Sequence, residues 1–170
     1  MRQVTTLSII ENDDKALLAM KKRGFGEGWW NGYGGKVQDE ETIEEAMARE
    51  LKEESGIVAK TFKERAVIEF FFKGTDKEVE MHVFEVTGYE GQPEETEEMA
   101  PKWFLKGEIP YDQMWPADKN WMPLFFEGKD FDGKAVFDGE TKAFIESDFK
   151  VRKKPEEIDA EQISGEGRIS

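Results

Sequence analysis

Three glutamates in the segment RELKEESG, residues 49–56, are the side chains of this sequence best suited to chemistry. On a helix that advances about 100° per residue, Glu50, Glu53 and Glu54 all fall in the apolar sector that contains Leu51. Burial of one unpaired carboxylate costs several kcal/mol, and like charges held close together repel one another. The cluster therefore calls for a compensating cation, and Mg²⁺ prefers oxygen ligands of this kind.

A second interpretation is that these acids form a solvated patch or pair with basic residues elsewhere, as runs of charge commonly do. Against it, the same wheel gives the outward face to other side chains, and Arg49 lies at the edge of the apolar sector, where it can orient one carboxylate. Spacing alone leaves both interpretations open. The residues predicted to face outward are Glu44, Glu45, Ala48, Lys52 and Ser55.

The neighbouring segments predict a chain of mixed α and β structure. The helix is expected from Thr42 to Ser55, with Thr42 and Glu45 forming a capping box and Gly56 ending it. Apolar runs between turn residues predict strands. Strands are expected at 4–12, 13–23, 65–72, 79–89, just after 101 and in a pair around Asp138-Gly139, with a glycine-rich loop at 24–35 and a second helix near 118–127.

Composition narrows the class of protein. A chain of 170 residues with 13 Phe and 5 Trp suits one packed domain. The net charge of −14 opposes binding to nucleic-acid polymers, although the basic stretch at 21–23 or a bound Mg²⁺ could neutralise a small phosphorylated ligand. The absence of cysteine excludes thiol catalysis and disulfides. No apolar run is long enough to span a bilayer and no secretory signal is evident, so a cytoplasmic protein without a membrane partner is expected.

The longer pattern closely resembles the Nudix box. Gly35, Glu41 and the string RELKEESGI from Arg49 to Ile57 occupy every defining position of that motif. The resemblance implies an α+β Nudix fold, in which a mixed β-sheet lies between helices and the motif forms a loop–helix–loop. It implies a hydrolase domain over residues 1–153, followed by a polar tail at 154–170.

The resemblance also implies roles for the motif residues. Glu50, Glu53 and Glu54 would bind Mg²⁺, or Mn²⁺ in its place, together with the backbone carbonyl of Gly35. Arg49 and Glu41 would support that geometry. Glu54 is the first choice for the group that positions a water molecule or takes its proton.

Segments outside the box resemble the branch of the family that acts on oxidised purine nucleoside triphosphates. They are MKKRGFG, WNGYGGKVQ, MHVF, WF and MWPADKNWMPL. The resemblance implies an aromatic pocket that reads the base through Asn31 and Asp118, with Glu98 assisting the metal or water. Pocket walls and nearby contacts would come from Phe25, Phe70, Trp115, Met81 and Met99, with Thr6 and Lys21 close to the sugar and phosphates.

The expected reaction releases a nucleoside monophosphate and pyrophosphate from 8-oxo-dGTP, and from 2-oxo-dATP as well. One position departs from the branch, because the acid expected before Asp118 is Ala117. An O6-alkylated or ordinary nucleotide, ADP-ribose, or a binding module without catalysis are the alternatives. By the same resemblance, the partner is a small nucleotide and the protein is a monomer.

Other notable side chains are assigned to structure. His82 is the only histidine and has no credible nucleophile beside it. Trp121, Phe125 and Phe126 have helical spacing and are expected in the core.

Overall fold

A nine-stranded mixed β-sheet forms the centre of the described part of the chain. The structure, a computed structural model, describes residues 2–153. The strands are β1 (Arg2–Asn12), β2 (Lys15–Lys21), β3 (Trp30–Asn31), β4 (Tyr33–Lys36), β5 (Val58–Lys73), β6 (Glu78–Glu90), β7 (Met99–Leu105), β8 (Phe131–Asp138) and β9 (Phe144–Val151). The helices are α1 (Ile43–Ser55) and α2 (Asp118–Phe126), with short 3₁₀ turns at Lys106–Glu108 and Tyr111–Gln113.

The sheet has the order β3-β2-β1-β6-β5-β8-β9, with β4 paired to β1 and β7 paired to β2. The β1–β6 and β5–β8 pairs are parallel, and the remaining pairs are antiparallel. Strand β1 is thus bonded to three neighbours and connects the two halves of the sheet.

The two helices cover opposite faces of the sheet. Successive strand residues point to opposite sides, so neighbours on one strand belong to different apolar clusters. Ile10 and Leu51 belong to the apolar cluster under α1, whereas Ile9 and Trp121 belong to the cluster under α2. The predicted α+β architecture, a mixed sheet between helices, is confirmed.

Helix α1 has the predicted ends. Thr42 Oγ1 accepts a hydrogen bond from the Glu45 N–H at 3.0 Å, and Glu45 Oε1 accepts one from the Thr42 N–H at 2.8 Å. Gly56 ends the helix with φ of 81°, a left-handed conformation that glycine adopts without strain. The capping box and the glycine stop are both confirmed.

The prediction of a continuous loop at 24–35 is wrong, because β3 and β4 lie within it. Glycine has low strand propensity, but here it permits close pairing. A Cβ atom at Gly34 would lie 1.8 Å from the carbonyl oxygen of Thr6 on β1. Strand β5 also begins at Val58, well before the predicted start at residue 65.

The residues assigned to structure are placed as expected. Trp121 and Phe125 are fully buried, and Phe126 packs against the same cluster. His82 is buried with Nε2 2.7 Å from Glu80 Oε2. The predicted tail at 154–170 lies outside the described residues, and within 2–153 no helix is long and apolar enough to cross a bilayer.

Candidate active site

The glutamates of α1 do not all face the same environment. Glu50 is largely shielded, with 16% of its side chain exposed, and Glu54 is partly buried. The placement of Glu53 in the apolar sector is wrong, since 59% of its side chain is exposed. The outward placement of Ser55 is also wrong. Its hydroxyl is buried, donates to the Leu51 carbonyl at 2.6 Å and accepts from the N–H of Ile57, because the chain turns back into the core there.

Arg49 binds several of the acidic side chains at once. Its guanidinium donates to both carboxyl oxygens of Glu41 at 2.7 and 3.0 Å, to Glu50 at 2.9 Å and to Glu53 at 3.3 Å. It also donates to the carbonyl of Lys36 at 3.1 Å. The Arg49 hydrogen bonds lower the pKa of Glu41 to about 2. The bidentate contact keeps Glu41 ionised, and the bond to the Lys36 carbonyl holds α1 against the end of β4.

Glu54 has the environment of a group that can exchange a proton near neutral pH. Burial is the main cause that raises its pKa to about 7. The Gly34 N–H, which donates to Oε1 at 3.0 Å, has the opposite effect and lowers the pKa. The charge of Glu50 raises the pKa further, and that of Lys21 opposes it. A carboxyl group tuned in this way suits general acid–base work.

The glutamates of α1 and the backbone of Gly35 carry the type of oxygen atoms that bind a divalent cation. Within residues 2–153 no three acidic or histidine side chains already converge in a metal-binding arrangement, and Arg49 holds Glu50 and Glu53 instead. A Cβ atom at Gly35 would nevertheless lie 2.5 Å from the Glu50 carboxyl group, so the backbone of Gly35 is directly against it. A desolvated carboxylate, a second carboxylate and a nearby carbonyl are the hard oxygen donors that Mg²⁺ prefers.

Glu98 is held by two cations. Its carboxyl oxygens lie 3.0 Å from Lys21 Nζ and 2.8 Å from Arg23 Nε, and these bonds lower its pKa, that from Lys21 most. Lys21 keeps further N–H groups for a phosphate, whereas a metal ion at Glu98 would compete with these two cations.

An apolar cavity of about 460 Å³ lies on the α2 side of the sheet. Six of the predicted base-pocket residues line it: Phe25, Asn31, Phe70, Met81, Trp115 and Asp118. Trp115 stacks obliquely on Phe25 and Trp29, with ring centroids 5.2 and 5.5 Å apart. Aromatic walls with a few polar groups are typical of a small-molecule site.

Three predicted contacts do not line the cavity. Thr6 is the first of them. Its neighbours Thr5 and Leu7 line the cavity, and because successive strand residues point to opposite sides, the buried Thr6 faces the α1 side. Met99 is buried in the cluster under α1, and Lys21 is paired with Glu98.

Several lining residues were not identified from the sequence. They are Gln3, Thr5, Leu7, Gly32, Lys36, Phe72, Lys77, Val79, Met122 and Phe137. The period-two spacing of Phe70 with Phe72 and of Val79 with Met81 is the signal that could have indicated part of this set.

Asp118 is the acidic group of the cavity. It is almost fully buried and accepts a hydrogen bond from Trp121 Nε1 at 3.1 Å. Burial raises its pKa to about 7, so the carboxyl group can both donate and accept near neutral pH. The preceding Ala117 is fully buried against Ala135 and Phe137 and brings no polar group.

Comparison with known proteins gives a consistent family. The NUDIX domain family matches residues 1–125. The oxidized purine nucleoside triphosphate hydrolase of Danio rerio is 46% identical over 137 residues, which cover 81% of this chain and 88% of the relative. Its counterpart in Mus musculus is 45% identical over 132 residues, covering 78% and 85%. The crystal structure of a MutT protein from Bacillus halodurans superposes with a TM-score of 0.74 at 25% identity and covers 87% of this chain and 97% of that one.

The matched region includes strands β1 to β7, with Gly34 and Gly35 in β4, and helix α1 with its glutamates. These similarities agree with the loop–helix–loop geometry around α1. The chain belongs to the Nudix family of hydrolases.

Proposed function

We propose that the protein hydrolyses oxidised purine nucleoside triphosphates, with 8-oxo-dGTP as the first substrate and 2-oxo-dATP as the second. The products are the nucleoside monophosphate and pyrophosphate, and the reaction removes damaged nucleotides from the pool. One observation carries the proposal: the aromatic cavity that contains Asn31 and Asp118 and the glutamates of α1 flank the same strand, β4, since Lys36 lines the cavity while its neighbour Gly35 lies against Glu50. The names of the zebrafish and mouse relatives support the same substrate class.

Recognition of the base rests on stacking and on two polar groups. The rings of Phe25, Phe70 and Trp115 offer faces to a purine. The amide of Asn31 supplies one donor and one acceptor group, and Asp118 adds a donor whenever it is protonated. Oxidation of guanine at C8 adds a carbonyl oxygen and an N–H at N7, which changes the pattern that such groups can bind.

Members of this family generally need a divalent metal ion. Glu50, Glu53, Glu54 and the carbonyl of Gly35 would hold Mg²⁺, for which Mn²⁺ can substitute, and the bound ion supplies charge neutralisation at phosphate oxygens and a more acidic water. Arg49 orients Glu50. Because Glu54 Oε1 accepts the Gly34 N–H, Oε2 is the atom that we assign to receive the proton of the attacking water.

Ala117 supports a second candidate substrate. The branch of the family that this chain resembles has two acids at this place, whereas this cavity has one buried acid. One acid offers fewer hydrogen-bonding states to the edge of the base. Hydrolysis of an O6-alkylated or ordinary purine deoxynucleotide by the same glutamates is therefore the alternative.

We also propose a monomeric, cytoplasmic enzyme that binds small nucleotides and leaves nucleic-acid polymers unbound. The net charge of −14 supports the exclusion of polymers. Light scattering at working concentration tests the oligomeric state.

The first test is pyrophosphate release with Mg²⁺ from 8-oxo-dGTP, 2-oxo-dATP, O6-methyl-dGTP and dGTP. We expect 8-oxo-dGTP to be preferred, and Glu54→Gln to lower kcat by about 10²- to 10⁴-fold because the proton acceptor is lost. The matched control is Glu44→Gln, an exposed glutamate of the same helix, which should leave kcat unchanged. Weak, uniform rates across the panel would contradict the substrate, and a fully active Glu54→Gln variant would contradict the role of Glu54.

A further inference from the structure

Two lysines approach one aromatic ring at the rim of the base cavity. Lys77 Nζ lies 5.0 Å from the centroid of Phe72, and Lys142 Nζ lies 5.5 Å from it. Lys77 is also 5.9 Å from the centroid of Phe25, whose exposed fraction is 68%. Lys77 lines the cavity, whereas Lys142 does not and donates to the Gly139 carbonyl at 2.6 Å.

The position of Lys77 lets its ammonium group reach across the cavity rim. The residue lies in the turn between β5 and β6, where its N–H donates to Thr75 Oγ1 at 3.2 Å. Phe25 belongs to the separate loop before β3. At an exposed site, a cation over a ring is held only weakly, so a stronger acceptor on a bound base would readily attract the ammonium.

The charge balance of the cavity favours such an acceptor. Its charged lining residues are Lys36, Lys77 and Asp118. Ala117 contributes no second acid, and Asp118 has an elevated pKa, so cationic donors outnumber anionic acceptors. A cavity of this kind selects electron-rich carbonyl edges over amino edges.

We propose that Lys77 is a specificity-determining residue whose ammonium group donates a hydrogen bond to an exocyclic carbonyl oxygen of the bound purine. The site thereby favours carbonyl-bearing purines, such as 8-oxoguanine, over purines without a carbonyl oxygen, such as adenine and O6-methylguanine. This inference rests on the proposed function, since it assigns the base to the same cavity.

The experiment compares kcat/KM for 8-oxo-dGTP, dATP and O6-methyl-dGTP in the wild type, Lys77→Met, Lys77→Arg and Lys142→Met. We expect Lys77→Met to reduce the preference for 8-oxo-dGTP over the other two by about tenfold, mainly through KM, because a hydrogen bond from a charged donor is lost. Lys77→Arg should keep most of the preference, and Lys142→Met should keep all of it. Thermal melting verifies that the variants fold, which the exposed position of Lys77 favours.

An equal loss on all three nucleotides would overturn the proposal, since it would indicate general attraction for the triphosphate. An equal effect of Lys142→Met would also overturn it. Calorimetric binding of 8-oxo-dGMP and dAMP without metal separates the two proposals. If the wild type binds both monophosphates but hydrolyses no triphosphate, the proposed function fails. The role of Lys77 then depends on whether Lys77→Met weakens the binding of 8-oxo-dGMP and leaves that of dAMP unchanged. If neither monophosphate binds, the assignment of the base to this cavity and the Lys77 proposal fail, whereas the proposed function is decided by pyrophosphate release alone.

Discussion

Gly34 and Gly35 are adjacent, yet each is glycine for a different reason. A Cβ atom at Gly34 would meet the backbone of β1, with the Thr6 carbonyl oxygen 1.8 Å away. A Cβ atom at Gly35 would meet a side chain, the carboxyl group of Glu50 at 2.5 Å. Backbone in a paired strand cannot retreat, whereas a glutamate side chain can rotate away. The first glycine is therefore required by the fold and the second by the site.

The matched substitutions Gly34→Ala and Gly35→Ala should separate these roles. We expect Gly35→Ala to displace the Glu50 carboxyl group and lower kcat at least tenfold, with a change in unfolding free energy within about 1 kcal/mol. Gly34→Ala should cost about 1–3 kcal/mol or more through strain in the β1–β4 pair. Urea unfolding and pyrophosphate release measure the two effects. Equal losses of stability would contradict this division.

At the scale of elements, Arg65 joins three parts of the chain. The residue is 3% exposed and lies on β5. Its guanidinium donates to Asp130 Oδ1 at 2.6 Å and to the carbonyls of Phe125 and Lys129 at 3.0 and 2.7 Å, and it lies 4.6 Å from the Phe125 ring centroid. It thereby satisfies carbonyl groups at and just after the end of α2 and ties them to the start of β8.

Arg65→Met should destabilise the fold by about 3–5 kcal/mol, since it breaks a buried ion pair with Asp130, which keeps only the more exposed Lys63, and removes a donor from the Lys129 carbonyl. The control is Arg152→Met, which removes a more exposed pair with Asp132 and should cost about 1 kcal/mol or less. Urea unfolding compares the two variants. Losses of the same size would show that burial of the Arg65 network adds nothing to its contribution.

The arrangement of helices and strands also determines which features can be predicted from the sequence. Helix α1, its caps and the partly buried Glu54 follow from local spacing, so they were predictable from the residues themselves. By resemblance, Thr6 was assigned to the sugar and phosphates and Met99 to the base pocket, but the face that each presents depends on strand register, which long-range pairing decides. The burial of Ser55 likewise depends on how the chain leaves α1, and β3 and β4 form only because β2 and β1 pair with them.

For the whole molecule, two buried carboxyl groups and an excess of negative charge both lower the stability of the folded state as the pH rises. The pKa values of Asp118 and Glu54 are both raised to about 7 by burial, so the folded state binds more protons than the unfolded chain between about pH 4 and 7. Their contribution to stability is complete below the unfolded-state pKa values and is lost as the pH rises through the folded-state values. Self-repulsion from a net charge of −14 adds to that loss.

We therefore expect the metal-free protein to be more stable near about pH 5.5 than near about pH 8, by a few kcal/mol. Glu41 and Glu98, whose pKa values are lowered, lose their contribution only at lower pH. Urea unfolding with a chelator at both pH values measures the difference, and Asp118→Asn should reduce it. Stability that increases from about pH 5.5 to 8 would contradict the burial of ionisable groups described above.

The run Gly34-Gly35-Lys36 lies between the aromatic cavity and helix α1, with Lys36 lining the cavity and Gly35 against Glu50. A nucleotide that occupies both places has to pass this strand, so its sugar and phosphates must be long enough to span it. A monophosphate product can fill the cavity but carries fewer phosphates toward the glutamates. Under the proposed function, this strand would separate recognition from cleavage and would let the protein distinguish a triphosphate from its monophosphate product by length, independently of the base.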